Sequence, residues 1–145
     1  MGNLIQAIDN CDINKVRRLI KNGAKVNIKD HKGATALMHA VSSGNAELVK
    51  ILLNAGANVS TKEDNEGWTA LMGASGLKNP KIPKMLMDAG ANVNVKNNSG
   101  QTALHIAVSQ GRLEIVKALI NNGADVNTRD ARGTSPLTIA QMLNS

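Results

Sequence analysis

The chain has 145 residues, of which 42% are apolar and 19% are charged, and its formal net charge is +6. This composition is that of a globular protein and excludes an intrinsically disordered chain. The single cysteine, Cys11, excludes an internal disulfide framework and fits a reducing compartment. No apolar run is long enough to span a bilayer, and Asp9 and Asp12 interrupt the N-terminal apolar stretch where a signal peptide would be continuous. These features predict a cytoplasmic protein.

Two sets of glycines recur along the chain at spacings of 33 or 34 residues. The first set is Gly33, Gly67, Gly100 and Gly133, and the second set is Gly23, Gly56, Gly90 and Gly123. The residues beside each glycine repeat as well, so the chain consists of internal repeats. One extra residue falls between Gly56 and Gly67.

Each repeat predicts two helices joined by a short loop. Thr35 and its equivalents are expected to cap the first helix, because a hydroxyl at that position accepts an unpaired backbone N–H. Gly44 and Gly111 are expected to end the first helix in a left-handed conformation. The second helix carries apolar residues at positions i, i+1, i+4 and i+5, which predicts burial on two sides. These residues are Leu48, Val49, Leu52 and Leu53 in one copy and Ile115, Val116, Leu119 and Ile120 in another.

The repeated sequence resembles the ankyrin repeat, whose pattern is D-x-x-G-x-T-P-L-H-x-A followed by G-x-x-x-I/V-V-x-x-L-L-x-x-G-A-x-V-N. The resemblance covers essentially the whole chain. It implies an all-α repeat solenoid, an ankyrin-type helix–turn–helix stack with protruding β-turn or hairpin fingers. We expect one domain over residues 1–145, with an N-terminal cap (1–29), three repeats (30–63, 64–96 and 97–129) and a partial C-terminal unit (130–145).

The third unit departs most from the pattern. Lys78 stands where Gly44 and Gly111 stand in the neighbouring units, and Pro83 lies too deep to be the first residue of its helix. We therefore expect that helix to begin late or to bend, and we expect this unit to be the weak point of folding.

The two end units differ from the repeats between them. The first unit begins directly at a helix, with Leu4 and Ala7 in the places of Leu37 and Ala40. The last unit stops after one helix and leaves Met142 and Leu143 with little to bury them. It is either a short natural cap or the end of a segment cut from a longer protein.

The ankyrin resemblance implies that partners bind the fingertips and the exposed positions of the first helices. This concave surface is called the finger face here. Its expected partner-binding residues are His31, Lys32, Ser42, Ser43, Asn65, Glu66, Trp68, Leu77, Ser99, Gln101, Ser109, Gln110 and Arg132.

Trp68 stands out on the finger face, because the equivalent positions hold Ala34, Gln101 and Thr134. An exposed tryptophan is typical of a binding hot spot. Alternatively, Trp68 folds over a neighbouring finger and only packs. Leu77 favours binding, and the two residues together predict one apolar patch in the middle of the array.

The charges argue against nucleic acid as a partner. Basic residues concentrate on the second helix of the first unit, which is expected to face outward, and in the irregular segment of the third unit at Lys78, Lys81 and Lys84. The centre of the finger face is acidic at Glu63, Asp64 and Glu66. A nucleic-acid site requires the reverse, with cations in a stripe and aromatic rings for stacking.

The chain offers no arrangement that predicts catalysis or a resident metal. The resemblance gives His105 a structural role, in which the histidine hydrogen-bonds the neighbouring turn. His39 lies one position further along its helix and is expected near the surface, and Cys11 occupies a linker position. We therefore expect no enzyme activity, no cofactor, no metal and no small-molecule substrate.

The sequence thus predicts a monomeric protein–protein interaction module that binds through the finger face. The alternative is a structural or regulatory ankyrin segment of a larger multidomain protein.

Overall fold

The computed structural model describes residues 3–143, and the side chains of residues 4–141. Helical structure in that part of the chain falls into nine segments. They are α1 (Asn3–Asp9), α2 (Ile13–Lys21), α3 (Ala36–Ser43), α4 (Ala46–Asn54), α5 (Ala70–Ala74), α6 (Lys81–Asp88), α7 (Ala103–Ser109), α8 (Leu113–Asn121) and α9 (Pro136–Leu143). The expectation for Met142 and Leu143 concerns side chains outside the described residues.

The helices form two layers. The first helices of successive units, α1, α3, α5, α7 and α9, pack side by side, and the second helices α2, α4, α6 and α8 form the other layer. The core lies between the layers, where Leu37, Leu48 and Leu104 are buried. Ala40 and Ala107 have no exposed surface, because a small side chain allows neighbouring first helices to approach closely. The predicted all-α repeat solenoid is therefore confirmed.

The first helices begin at the predicted caps. The hydroxyl oxygens of Thr35 and Thr69 accept the N–H of Met38 and Met72, each at 3.2 Å. Thr102 and Ser135 make the same bond to the third residue after each of them. These bonds satisfy backbone donors that have no partner within the helix.

The first helices end as predicted where glycine is available. Gly44 and Gly111 have φ angles of 70° and 68°. Cys11 occupies the equivalent linker place in the first unit, is exposed, and adopts a φ angle of 53°. A β-carbon in this conformation costs about 1–2 kcal/mol, so Cys11 carries backbone strain that glycine would relieve.

The third unit is irregular at the predicted places. Helix α5 ends at Ala74, well before Lys78, and Lys78 does not adopt the left-handed conformation of Gly44 at the end of α3. Helix α6 begins at Lys81, one residue later than α4 in the repeat register. Pro83 then occupies its first turn, where the absence of an N–H breaks no helical bond, and the first such bond runs from Lys84 N–H to Pro80 O at 3.1 Å. The late start is therefore confirmed.

The C-terminal end corrects the prediction that the second helix of the fourth unit is buried on two sides. Ile115 and Leu119 are buried, but Ile120 is 45% exposed. Its equivalent Leu53 is half-buried in α4, which packs beside α6, whereas α9 packs on α7. Leu137 of α9 is 49% exposed for the same reason.

Candidate protein-binding site

Each finger is a tight turn closed by one acidic or amide side chain. In the first finger, Asp30 Oδ1 accepts the N–H groups of Lys32 and Ala34 at 2.8 and 3.0 Å. Asn97 and Asp130 do the same in the third and fourth fingers. A carboxylate or amide oxygen at this place therefore fixes the turn.

The second finger is built differently, and sequence reasoning missed how. The extra residue of this unit lies in the finger, where Glu63 N–H bonds Trp68 O across five residues rather than four. The longer Glu63 side chain spans the added residue and accepts the N–H groups of Asn65, Glu66 and Trp68 at 2.7–2.9 Å. Burial raises the pKa of Glu63, but these hydrogen bonds outweigh it and hold that pKa below its ordinary value. The only sequence signal was a glutamate one place before the usual aspartate.

Backbone hydrogen bonds join the fingers into one ladder. The N–H of Asp64 donates to Lys32 O at 3.0 Å, and the N–H of Asn98 donates to Glu66 O at 2.9 Å. The N–H of Ala131 donates to Ser99 O at 2.8 Å. Side chains on adjacent fingertips are therefore held at fixed spacing.

His105 has the structural role that the family resemblance implied. Its Nδ1 lies 3.0 Å from the N–H of Thr102, and its Nε2 lies 2.9 Å from the backbone oxygen of Thr134 in the next finger. The ring is fully buried. His105 thus ties α7 to the fourth finger.

His39 lies on the finger face and is clamped between two carboxylates. Its Nδ1 is 2.9 Å from Asp9 Oδ1 at the end of α1, and its Nε2 is 2.8 Å from Asp30 Oδ2 in the first finger. Burial lowers the pKa of His39, but the hydrogen bonds that its ring donates to Asp30 and Asp9 outweigh this effect, and the pKa is raised from 6.5. The side chain is 23% exposed, so His39 is near the surface as expected.

Most of the residues predicted to bind a partner are exposed on the finger face. Gln101 is half-buried and accepts a hydrogen bond from Asn97 in its own finger. The hydroxyls of Ser43 and Ser109 donate to the backbone of their own helices, which leaves them less free for a partner. The exposed predicted residues are His31, Lys32, Ser42, Ser43, Asn65, Glu66, Ser99, Ser109, Gln110 and Arg132.

Trp68 and Leu77 are both half-buried and pack against the core. Trp68 therefore packs in part, as the packing interpretation predicted, and the rest of its side chain is accessible. Trp68 lies two residues before α5, and Leu77 lies three residues after it. The apolar patch formed by Trp68 and Leu77 stays a prediction.

Two glycines lie between Trp68 and Leu77 in the sequence. Gly73 and Gly76 stand where the second unit has His39 and Ser42, and a β-carbon at Gly76 would meet Ile106 and Gln110 at 3.9 Å. The third unit therefore presents no side chain at these two positions.

Two absences concern the described part of the chain, residues 3–143. Within residues 3–143 no group of three histidine, cysteine, aspartate or glutamate residues is arranged to hold a metal ion. In the same range, no helix combines the length and apolarity that crossing a bilayer requires.

An all-helical array with linked fingers is a scaffold that displays side chains at fixed positions. The comparisons with known proteins agree. A family model described as "Ankyrin repeats (3 copies)" matches residues 4–97, and one described as "Ankyrin repeats (many copies)" matches residues 86–140. The chain belongs to the ankyrin repeat family, which is generally a non-catalytic protein-interaction module.

Similar curated proteins are larger than the segment that matches. The chain is 48% identical over 46 residues to the ADP-ribosylation factor GTPase-activating protein AGD4 of Arabidopsis thaliana, which is 32% of this chain and 6% of that protein. It is 43% identical over 53 residues to the human "Ankyrin repeat, SAM and basic leucine zipper domain-containing protein 1", which is 37% of this chain and 11% of that protein. The aligned segment thus spans a small part of each relative.

Proposed function

We propose that this chain is a cytoplasmic, monomeric interaction module that binds a protein partner through the finger face. The observation that carries the proposal is the backbone ladder between fingers, from Lys32 O to the N–H of Asp64 and onward. Because the ladder fixes the fingertips before a partner arrives, little conformational entropy is lost on binding.

The middle of the finger face supplies the contacts. The accessible part of Trp68 offers an amphipathic aromatic surface of the kind enriched at hot spots. Glu66 is exposed beside it and has no ion pair among the described residues, so its charge is available to a partner. His31, Lys32, Ser99 and Arg132 would form the polar rim on the neighbouring fingertips.

Affinity capture from the source cell tests the proposal. We would compare the wild type with a Trp68→Ala, Glu66→Lys variant and with a matched control, Lys84→Glu, on the outer surface of α6. Circular dichroism would first establish that all three proteins are folded. We expect a protein retained by the wild type and the control and lost by the finger-face variant. Equal retention by all three would place the binding site elsewhere.

A second candidate function is a structural segment of a larger protein. It is favoured by the exposed apolar side chains of Ile120 and Leu137, which a further second helix would cover as α8 covers α6. Substituting both residues with Gln should then destabilise the natural full-length protein by more than it destabilises this chain alone. Equal unfolding midpoint shifts in the two proteins would contradict this role.

A further inference from the structure

A groove runs across the layer of second helices, away from the fingers. It has a volume of about 500 Å³ and is bordered by α2, α4 and α6. Its walls carry Arg17, Lys50 and Lys81, one cation from each of the three helices, and Ile51 and Met85 lie between them. This surface is called the outer groove here.

The repeat register shows why the outer groove has uncompensated positive charge. Arg17 of α2 pairs with Glu47 of α4 at 2.6 Å. Lys50 is the equivalent of Arg17 in the next unit, and the residue equivalent to Glu47 is Lys81. A lysine thus stands where the repeat places an acid, and two cations face the groove where an ion pair would form.

The neighbouring units show that this exchange is local. The equivalent of Lys81 in the fourth unit is Glu114, which lies 3.7 Å from Lys117 on the same helix. Within the described part of the chain, neither Lys50 nor Lys81 has an ion-pair partner. The missing counter-charge must come from solvent ions or from a bound molecule.

The chemistry of the groove selects an acidic protein segment over a polyanion. Ile51 and Met85 are half-buried, so their accessible surface can receive an apolar side chain, to which the flexible Met85 adapts. Trp68 is the only aromatic residue of the chain other than histidine and lies on a finger, so no such ring is present in the groove to stack on a base.

We propose that the outer groove binds an acidic segment of a protein partner, whose carboxylates pair with Arg17, Lys50 and Lys81 and whose apolar side chain lies on Ile51 and Met85. Arg17 uses one guanidinium nitrogen for Glu47, and its other donors remain for a second carboxylate. Because the groove lies in the second-helix layer, it gives the module a second interaction surface, independent of the finger face.

A labelled peptide tests this proposal directly. The probe is a fluorescein-labelled peptide of four Glu-Glu-Leu repeats, and its partner control has Gln in place of every Glu. Fluorescence anisotropy would measure the affinity of both peptides for the wild type, for Lys81→Glu and for Lys84→Glu. Lys84 lies on the same helix but outside the groove. Lys84→Glu is therefore a matched control, because it changes the net charge by the same amount as Lys81→Glu.

The expected result is specific to position. Lys81→Glu restores the acid that the repeat places there and supplies Lys50 with a partner, so it should not unfold the chain. It should weaken binding of the Glu peptide about tenfold or more, whereas Lys84→Glu should weaken it less than about threefold, because exposed charges outside the contact are screened by salt. The Gln peptide should bind more weakly than the Glu peptide.

Three results would overturn the proposal. Equal losses in the two variants would show attraction to net charge only. Equal affinities for the Glu and Gln peptides would show that carboxylates are not recognised. Tighter, Lys81-dependent binding to a single-stranded 20-nucleotide DNA or to phosphatidylserine vesicles would assign the groove to a different class of ligand.

Discussion

The spacing between fingers gives the sharpest test of what holds the array together. Gly100 and Gly133 occupy equivalent fingertip positions and have φ angles of 73° and 77°. Alanine therefore meets the same backbone strain at both. A β-carbon at Gly100 would lie 2.9 Å from the backbone nitrogen of Ala131 and 3.1 Å from Asp130 Cα, whereas one at Gly133 meets nothing within 4 Å.

The magnitudes follow from these two terms. Strain in the left-handed region costs about 1–2 kcal/mol, and the lower entropy of the unfolded alanine variant returns about 0.4–1 kcal/mol. Gly133→Ala should therefore cost about 1 kcal/mol. Gly100→Ala adds a collision with backbone that cannot rotate away, at about 1–3 kcal/mol. It also displaces the 2.8 Å bond from the N–H of Ala131 to Ser99 O.

Gly33 supplies an intermediate case. Its β-carbon would collide with the carboxylate of Asp64, which is an exposed side chain and can turn into solvent. Urea unfolding followed by circular dichroism should rank the free-energy losses as Gly100→Ala first, then Gly33→Ala, then Gly133→Ala, at an unchanged denaturant dependence. Losses for Gly100→Ala and Gly133→Ala that agree within about 0.5 kcal/mol, the size of a minor surface effect, would refute the claim that backbone contact between fingers sets the tolerance.

Three further predictions concern the first helices and the third unit. Cys11→Gly should raise the free energy of unfolding by about 1 kcal/mol, because it removes the β-carbon from a left-handed residue, and a lower thermal midpoint would contradict the strain at this turn. The raised pKa of His39 means that its bonds to Asp9 and Asp30 stabilise the fold fully below pH 6.5 and less as the pH rises through the folded-state pKa. Wild type should therefore lose more stability than His39→Asn between about pH 6 and 8 in urea titrations, and parallel pH profiles would exclude this linkage. Amide hydrogen exchange should be faster in α5 and α6 than in α3 and α7, since α5 is short and α6 starts late; α5 and α6 as the best-protected segments would contradict the assignment of unit three as the weak point.

Much of the fold was predictable because its signals are local. A threonine hydroxyl and the N–H three residues later are neighbours in any helix start, so Thr35 and Thr69 identified their caps without tertiary information. Gly44 closes α3 for an equally local reason. The late start of α6 was also predictable from Pro83, because proline has no backbone N–H to donate at any position.

The candidate site was predictable only as a surface. The resemblance indicated which fingertip positions face outward, and the exposure of His31 and Arg132 agrees. The resemblance did not indicate that Trp68 is half-buried against the core, because the burial of a fingertip side chain depends on the neighbouring finger. The role of Glu63 escaped for a related reason, since only the folded turn shows that its longer side chain spans the added residue.

Only the tertiary structure decided which side chains of different units contact each other. Asp9 and His39 lie 30 residues apart and meet because α1 stacks against α3. Lys50 and Lys81 face one groove because α4 and α6 are adjacent, and Ile120 is exposed because α9 packs on α7 rather than over α8. The sequence by itself determined the repeat, its two helices and their caps, because these depend on neighbours along the chain. Side-chain pairs between units depend on how the helices stack, which no single repeat encodes.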